Sequence, residues 1–410
     1  MPDLAERRML AWLRKPEAVR DRCQALLALA EQNALSHFTF DPARLDDAAD
    51  YVAAVIRANY PDLAIPYHSR WRHFEAGGID RWGALASRLE CDATELTRRR
   101  IDLCSVSVLL DAGAGPVWTY HEPETGQVLT RSEGLAVASL HAFCAGLFSG
   151  DPKQPFRADA DGLSRLSEAA LAAAFQVSPD NPLAEVGGRA ALLRRLGAAL
   201  RKRSDQVGAE ARIGGLLDLW RSRAADGVLA ARELLTTILE TLAPIWPGRL
   251  LLGGENLGDV WYHPMLDGAG SGAGLVPFHK LSQWLSYSMV EVLEQASIVV
   301  GGLDGLTGLA EYRNGGLFVD LGVLRLRDPS LAAAPLPVDN FAIVEWRALT
   351  VALLDRMAPL VRARLGLTAA ELPLARLLQG GTWDAGRRIA RERRADGSPP
   401  LVVLSDGTVF

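Results

Sequence analysis

The sequence predicts a single, mainly α-helical domain over residues 1–410, with a small antiparallel β-sheet. Apolar residues recur at helical spacing along most of the chain, whereas alternation with a period of two residues is confined to about 103–131. Alanine and leucine, with arginine on the outer positions, dominate 150–240, which is typical of bundled helices. No repeat and no clear linker divides the chain, which favours one domain.

The predicted elements begin with two helices in residues 3–31 that are separated at Pro16, because proline cannot continue a helix. Asp41-Pro42 then combines an N-cap with proline at the first helical position, which predicts a helix start. A polar and aromatic segment ending at Gly77-Gly78 is expected to be a loop or a short turn. One or two helices should follow it between Trp82 and Arg100.

The alternating segments CSVSVLLDAG and PVWTYHEPETGQVL are expected to form the small sheet, and Ser132 should begin the next helix. Breaks in the long helical region are expected at Pro179 to Pro182 and at Gly214-Gly215. Further on, the glycine tract from Gly268 to Gly274 predicts a mobile loop before a long helix. Another helix should begin at Asp339, and the tail contains a short apolar strand, PLVVL.

Composition is that of an ordinary globular protein, with 49% hydrophobic and 23% charged residues. The formal net charge of −5 argues against bulk electrostatic binding to nucleic acid or to an anionic membrane. No apolar run approaches the roughly 20 residues that span a bilayer. We therefore expect a small-molecule ligand and neither nucleic acid nor membrane as a partner.

The cysteines indicate a reducing compartment. Cys23, Cys91, Cys104 and Cys144 are scattered and form no CxxC pair, so they are expected to be small buried apolar residues. The N-terminus carries acidic residues and lacks the apolar core of a secretory signal. These features predict a cytoplasmic protein.

The stretch from Leu306 to Leu324, LTGLAEYRNGGLFVDLGVL, is the strongest candidate for a functional site. An apolar segment of helical character leads to Glu311, Tyr312 and Arg313, and the helix is expected to break at the Asn314-Gly315-Gly316 turn. An acid, an aromatic ring and a guanidinium held where a helix breaks would form a suitable binding site for a sugar phosphate. The structural alternative is a salt bridge between the acid and the arginine.

Other candidates are polar residues in apolar surroundings: Arg70, His73, Tyr262, His263, Lys280, Glu345, Arg347, Trp383 and Asp384. Each has a structural alternative. Glu345 and Arg347 interrupt an apolar helix and could form a buried ion pair that braces the core. Trp383-Asp384 could serve only as the N-cap of the following helix.

Motifs for nucleotides and metals are missing. GxGxxG, P-loop, HExxH and GxSxG patterns do not occur, and the glycine tract lacks the lysine and hydroxyl residue of a phosphate loop. His68 and His73 are five residues apart, which does not place both on one face of a helix. No other His, Cys or Asp cluster has ligand spacing, so neither a metal nor a cofactor is expected.

Four strings resemble the uracil catabolism protein four family: YHSRWRHFEAGGIDRW, GDVWYHPML, PFHKLSQWLSYSMVEVLE and LTGLAEYRNGGLFVDLGVL. The resemblance covers essentially the whole chain. It implies a place beside enzymes that convert uracil to its ribotide and open the ring. Such a pathway must release urea from a ribosylurea 5-phosphate.

A more distant resemblance is to the queuosine 5′-phosphate N-glycosylase family, which implies a fold like that of helix-hairpin-helix DNA glycosylases. That family's Phe-Ala-Asp-Tyr-Arg string is similar to Leu309-Ala310-Glu311-Tyr312-Arg313, and its Val-Glu-Ile-Arg helix to Val344 to Arg347. Its Phe-Tyr-Lys-Arg helix start is similar to Phe278 to Leu281, and its Trp-Asp to Trp383-Asp384. A ligand-contacting histidine of that family aligns loosely with His73.

The departures from that family fall on the side of the leaving group. Glu311 replaces the catalytic aspartate, Leu309 replaces a phenylalanine that lines the base site, and Asn314-Gly315-Gly316 replaces Leu-Pro-Gln. The resemblance therefore implies a leaving group that differs from a large deazapurine, and a urea-like group is consistent with it.

Together the two resemblances imply a metal-free N-ribosyl hydrolase that cleaves a ribosylurea 5-phosphate. Glu311 would be the ionised carboxylate beneath C1′, with Arg313 keeping its pKa low, and Asp384, His73 or His263 would supply a proton. The expected phosphate ligands are Lys280, Arg347 and Arg70; Tyr262, Leu309, Tyr312 and Trp383 complete the predicted substrate contacts.

Two alternatives remain open at this point. The chain could be a non-catalytic, nucleotide-binding partner of the ring-opening enzyme, and association with enzymes of the uracil pathway is expected in either case. It could also be a glycosylase of a modified-nucleoside 5′-phosphate that resembles queuosine.

Overall fold

The computed structural model describes residues 2–268, 270 and 272–404, and within these the chain is mainly α-helical. The α-helices in chain order are α1 (Leu4–Leu13), α2 (Pro16–Glu31), α3 (Arg44–Asn59), α4 (Arg70–Phe74), α5 (Arg81–Ala86), α6 (Ala93–Leu109), α7 (Arg131–Cys144), α8 (Ala160–Arg165), α9 (Glu168–Ala174), α10 (Val186–Lys202), α11 (Ser204–Val207), α12 (Leu216–Arg223), α13 (Ala231–Leu242), α14 (Lys280–Gln295), α15 (Tyr312–Asp320), α16 (Phe341–Leu365), α17 (Leu374–Leu377) and α18 (Trp383–Arg393). A π-helical turn, Leu378–Thr382, joins α17 to α18.

Short strands pair only two at a time among the described residues. They are β1 (Phe38–Phe40), β2 (Thr119–His121), β3 (Val128–Thr130), β4 (Val228–Ala230), β5 (Leu251–Leu252), β6 (Glu255–Asn256), β7 (Val260–Tyr262), β8 (Leu275–Pro277), β9 (Val299–Gly301) and β10 (Leu324–Leu326). The pairs β1–β10, β2–β3, β5–β6 and β7–β8 are antiparallel, whereas β4–β9 is parallel, with Val228 opposite Val299.

The chain divides into two compact units. The first takes its described residues from 1–68, 248–283 and 302–404, and the second from 69–247 and 284–301. Helix α14 contributes residues to both. The mainly α-helical class is confirmed, while the single domain and the likeness to helix-hairpin-helix glycosylases stay predictions.

In the first unit, the core surrounds α16, which is buried at every position from Ala342 to Leu354. The Asn340 side chain accepts a hydrogen bond from the Ala342 N–H at 2.9 Å and starts the helix, and Gly366 ends it in the left-handed conformation. Helices α2, α3 and α15 pack against α16. Because α16 is buried on all sides, its charged residues must find partners inside the core.

In the second unit, α6 is buried from Ile101 to Leu109. Asp92 caps its start by accepting from the Glu95 N–H at 2.7 Å. The buried guanidinium of Arg189 on α10 donates to the carbonyl oxygens of Leu110, Ala112 and Gly113 that follow α6. These bonds satisfy carbonyl groups that the end of a helix leaves without partners.

Several predicted elements are confirmed. The first two helices are separated before Pro16, which opens α2. The helix predicted at Asp41-Pro42 is present but begins at Arg44, with Ala43 and not Asp41 at the N-cap position. The long helix after the glycine tract is α14, although Ala269 and Ser271 of that tract lie outside the described residues. The apolar tail forms only an isolated parallel bridge, between Val403 and Leu336.

The sheet predicted over 103–131 is wrong in its first half. Residues 104–109 belong to α6, and only the hairpin β2–β3 occupies the second half. The alternation in CSVSVLL does not mark two faces, because Ser105 and Ser107 are as buried as the apolar residues between them. Ser107 accepts a hydrogen bond from Ser139 Oγ at 2.6 Å, which lets a polar residue lie inside a helical core.

The helix break predicted at Asn314-Gly315-Gly316 is also wrong. Residues 307–311 lie in neither a helix nor a strand, and α15 begins at Tyr312, so the glycines lie inside its first turns. Glycine is needed at 315 for close packing: a Cβ there would lie 2.7 Å from Trp346 Nε1 and 2.7 Å from Thr350 Oγ1 on α16. The glycine allows the two helices to approach each other rather than ending either one.

No helix in the described ranges has the length and apolarity that a membrane crossing requires.

We predict that Gly315→Ala lowers the free energy of unfolding by about 1–3 kcal/mol, because the added methyl group overpacks the contact with α16. Gly316→Ala is the matched control, since its Cβ would meet only Pro400, at 3.1 Å, and should change stability less. Urea unfolding followed by circular dichroism measures both. If Gly315→Ala were more stable than the wild type, as helix propensity alone would give, the proposed packing would be wrong.

Candidate functional site

The candidate site in the first unit is built on the start of α15, where Glu311 is the N-cap residue. One carboxylate oxygen accepts the Arg313 N–H at 2.9 Å, and the other accepts the Asn314 N–H at 2.7 Å. Shorter side chains usually fill this position. Glu311 is only 7% exposed, so its carboxylate is fixed inside the protein at the positive end of a helix dipole.

Burial raises the pKa of the Glu311 carboxyl above its ordinary value, and the Arg313 N–H, the Lys280 ammonium and the Asn314 N–H oppose this only in part. The guanidinium of Arg313 lowers this pKa least of these groups, and its Nη1 donates to the Gly397 carbonyl oxygen at 2.9 Å. Arg313 lowers this pKa through its backbone N–H and its guanidinium, as predicted, but burial outweighs both and the net shift is upward. Backbone donors, rather than an ion pair, hold the carboxylate.

The non-helical segment before Glu311 is held by side chains from neighbouring helices. The Thr307 N–H donates to Gln283 Oε1 at 3.0 Å, and Gln283 Nε2 donates to Thr307 Oγ1 at 2.5 Å. Asn314 Nδ2 donates to the Leu309 carbonyl oxygen at 3.4 Å, and the Leu309 side chain is 1% exposed. Leu309 is thus a core residue two positions before Glu311. Its contact with the substrate stays a prediction.

Lys280 is placed by a buried carboxylate. Its backbone N–H donates to Asp259 Oδ2 at 2.9 Å, which fixes the start of α14. The positive charge of the Lys280 ammonium lowers the pKa of both Glu311 and His68.

Arg347 forms a buried ion pair, as the structural alternative predicts, but its partner is Asp259 and not Glu345. Its two terminal nitrogens lie 2.8 and 2.9 Å from the two Asp259 oxygens, and its guanidinium lies 4.1 Å over the Phe278 ring. Although burial alone would raise the pKa of Asp259, Arg347 and the Trp261 indole N–H hold it well below its ordinary range. Arg347 therefore braces the core, and its contact with a substrate phosphate stays a prediction.

His68 is a candidate that spacing arguments missed. Its ring is buried, its Nδ1 lies 2.9 Å from Gln379 Oε1, and it is tilted against the Trp383 ring at 5.7 Å between centroids. Burial lowers the pKa of His68 to about 4, so the ring is neutral at pH 7. Gln379 lies in the π-helical turn, a conformation that is frequent at functional sites and that no sequence pattern here indicated.

Trp383 and Asp384 lie in the first turn of α18, and the N-cap position itself is Thr382, so the N-cap alternative is wrong. Asp384 Oδ2 accepts from Asn59 Nδ2 at 3.1 Å. Asp384 also lines an open cleft of about 450 Å³ with Val55, Asn59, Arg387, Arg388, Arg391 and Glu392. The carboxylate is thus accessible and has basic neighbours, in contrast to Glu311.

Tyr262 and His263 have different surroundings although they are adjacent. Tyr262 is 36% exposed, and its hydroxyl donates to Asp267 Oδ2 at 3.0 Å. The Tyr312 ring, near Glu311, lies 4.7 Å from the guanidinium carbon of Arg313. His263 is buried and faces Glu345, which His37 also contacts.

Two groups of side chains among the described residues have the donor atoms for a metal ion: His37, His263 and Glu345, and separately Glu122, Glu124 and His141. In the second group, Arg81 donates to both Glu122 oxygens, at 2.6 and 2.5 Å, so a guanidinium already neutralises that carboxylate.

Arg70 and His73 lie in the second unit and contact each other there. Arg70 Nη1 lies 3.2 Å from His73 Nδ1 and donates to Asp111 Oδ1 at 2.6 Å, while its Nε donates to Ser107 at 2.7 Å. Both side chains pack on the Trp284 ring. The other predicted site residues all belong to the first unit.

Within the first unit, the arrangement offers a fixed buried carboxylate, an ammonium and a neutral imidazole. A carboxylate can stabilise a positive charge that develops on carbon, and an ammonium can bind an anionic group. A neutral imidazole can accept or donate one hydrogen bond at each ring nitrogen. The set therefore suits a reaction in which a sugar carbon becomes cationic.

Comparisons with known proteins agree with the motifs. A family model described as "Protein of unknown function (DUF1688)" matches residues 12–410. The chain is 42% identical over 402 residues to Protein urg3 of Schizosaccharomyces pombe (strain 972 / ATCC 24843), with 96% of each chain covered. It is 36% identical over 439 residues to Uracil catabolism protein 4 of Lachancea kluyveri, covering 98% of this chain and 99% of the relative. This chain therefore belongs to the uracil catabolism protein 4 family.

Proposed function

We propose that this protein acts in uracil catabolism as an N-ribosyl hydrolase, which cleaves the C1′–N bond of a ribosylurea 5-phosphate. The pathway is supported by the name of the Lachancea kluyveri relative, Uracil catabolism protein 4. The reaction is supported mainly by one observation: Glu311 is a buried carboxylate fixed by two backbone N–H groups, with the ammonium of Lys280 acting on it.

The proposed reaction adds water to the substrate and gives urea and ribose 5-phosphate. The C1′–N bond breaks, and the nitrogen keeps the electron pair and takes up one proton. Water bonds to C1′ and loses one proton. As the bond lengthens, C1′ acquires oxocarbenium character, and an ionised Glu311 beneath it stabilises that positive charge.

The geometry of Glu311 suits this role because the carboxylate need not reorganise during the reaction. Both oxygens are held by backbone donors of α15, so the negative charge is oriented before the positive charge appears. Each oxygen retains a lone pair beyond the one that accepts the backbone N–H. Tight positioning of this kind is the usual source of electrostatic stabilisation in enzymes.

Protonation of the departing nitrogen is assigned in this proposal to Asp384, the accessible carboxyl in the first turn of α18. His263 is less suitable because it is buried against Glu345. Lys280 is the phosphate ligand that we favour in the first unit, since Arg347 is held by Asp259. The buried Leu309 gives an apolar boundary that matches a small, neutral ureido group better than a charged one.

The first experiment is an assay of the purified protein alone with synthetic ribosylurea 5-phosphate. We expect release of urea and ribose 5-phosphate, and we expect Glu311→Gln to lower kcat by at least about 10²-fold, because it removes the charge that stabilises the oxocarbenium ion. Glu371→Gln is the control, since Glu371 is an exposed glutamate that accepts from Thr368, and it should keep full activity.

Circular dichroism and thermal unfolding must show that the Glu311→Gln protein is folded, because a glutamine retains only one acceptor for the two backbone donors. Full activity of a folded Glu311→Gln variant would remove Glu311 from the mechanism. If turnover requires a second protein, the alternative is favoured in which this chain is a non-catalytic binding partner of an enzyme.

The pH dependence of kcat/KM gives a separate prediction. Glu311 must be ionised, and its pKa is raised above the ordinary 4.5, so activity should fall as the pH drops through that raised pKa. Lys280→Met removes a charge that lowers this pKa, and it should therefore move the acidic limb to higher pH. Lys202→Met, at an exposed position of α10, should leave the limb in place. An acidic limb at or below pH 4.5, or one that Lys280→Met does not move, would contradict the assignment.

A further inference from the structure

His37, His263 and Glu345 bring three distant segments of the first unit together. His37 directly precedes β1, His263 directly follows β7, and Glu345 lies in the second turn of α16. Glu345 and His263 are fully or almost fully buried, and His37 is 27% exposed at its side chain. His37, His263 and Glu345 are far apart in the sequence, so no short metal-binding motif indicates this group.

The distances fit a single small metal ion. His37 Nδ1 lies 2.9 Å from Glu345 Oε1, His263 Nε2 lies 3.3 Å from the same oxygen, and the three donor atoms are within 4.8 Å of one another. Zinc binds nitrogen and oxygen at about 2.0–2.2 Å, which places neighbouring ligand atoms about 3.3–3.6 Å apart at tetrahedral angles. The observed separations are close to that range.

A second observation points to a ligand. Nε2 of His263 is buried and has no hydrogen-bond partner in the described part of the chain, although it faces the Glu345 carboxylate. A buried donor without a well-aligned acceptor is unfavourable, and coordination of Nε2 would replace it with a metal bond. Zinc at Nε2 would place the ring proton on Nδ1, so the long 3.3 Å bond from the Met265 N–H to Nδ1 must open on binding.

The other carboxylate oxygen is already oriented. Glu345 Oε2 accepts the His37 backbone N–H at 3.0 Å, which leaves Oε1 directed at both imidazoles. A hydrogen bond from the protein to a metal-binding side chain fixes the orientation of that side chain. The group of Glu122, Glu124 and His141 differs, because Arg81 already occupies the Glu122 carboxylate.

We propose that His37, His263 and Glu345 bind one divalent transition-metal ion, for which zinc is the best chemical match. Two imidazoles and one carboxylate are a common zinc ligand set. We assign water as the fourth ligand, since the His37 side chain is 27% exposed to solvent. The ion would join the segments before β1, after β7 and in α16, and it would stabilise the folded first unit without taking part in the proposed hydrolysis.

The test uses the full chain, stripped with a chelator, dialysed and reloaded with zinc. Mass spectrometry of the metal content should then find one zinc per chain, and the apparent unfolding temperature should rise on reloading. His37→Asn and His263→Gln place a side-chain amide near the ring nitrogen that faces Glu345, but amides are poor zinc ligands. Both variants should lose the bound zinc and the rise in unfolding temperature.

Two variants are controls. His121→Asn changes an exposed histidine of β2, and His141→Asn removes the imidazole of the other group; both should keep the zinc. The proposal is overturned if the wild type retains no zinc and its unfolding temperature does not respond. It is also overturned if His37→Asn and His263→Gln still hold the ion, or if only His141→Asn loses it. None of these readouts depends on turnover, so the outcome is separate from that of the proposed hydrolase activity.

Discussion

The buried ion pair between Arg347 and Asp259 determines where the functional groups of the first unit lie. The Asp259 carboxylate accepts from the Arg347 guanidinium, from the Trp261 indole and from the backbone N–H of Lys280. One carboxylate thus connects α16, β7 and the start of α14. Removal of one partner from a buried pair costs about 3–5 kcal/mol, because the other charge stays buried. The position of the Lys280 ammonium depends on this contact.

Glu311 carries two roles in this account, and they are compatible. As the N-cap of α15 it satisfies two backbone N–H groups, and as a buried anion it is available to a developing positive charge. Burial disfavours the anion and raises the pKa of Glu311, while the backbone N–H groups at the helix start and the Lys280 ammonium oppose that rise. Helix α15 can occupy this position only because Gly315 lets it approach α16 closely.

The sequence allowed the helical class, the family and several helix starts to be predicted, because proline, capping residues and apolar spacing act locally. The predictions were wrong where burial or a partner distant in sequence determines the structure. The alternation in residues 104–109 looked like a strand because a fully buried helix has no polar face. Arg347 was expected beside Glu345, but residues two apart on a helix point in different directions, so each found a distant partner. Gln379, in a π-helical turn, had no signal at all.

The most direct test of the proposed chemistry is to follow which bond breaks. Ribosylurea 5-phosphate carrying ¹³C in the ureido carbonyl is incubated with the purified protein in ¹⁸O-labelled water, and the products are read by NMR and mass spectrometry. Cleavage of the C1′–N bond predicts intact ¹³C-urea whose carbonyl oxygen is unlabelled, together with ribose 5-phosphate. Attack at the ureido carbonyl would instead give ¹⁸O-labelled carbonate, ammonia and ribosylamine 5-phosphate. That result, or no turnover of this substrate, would contradict the account.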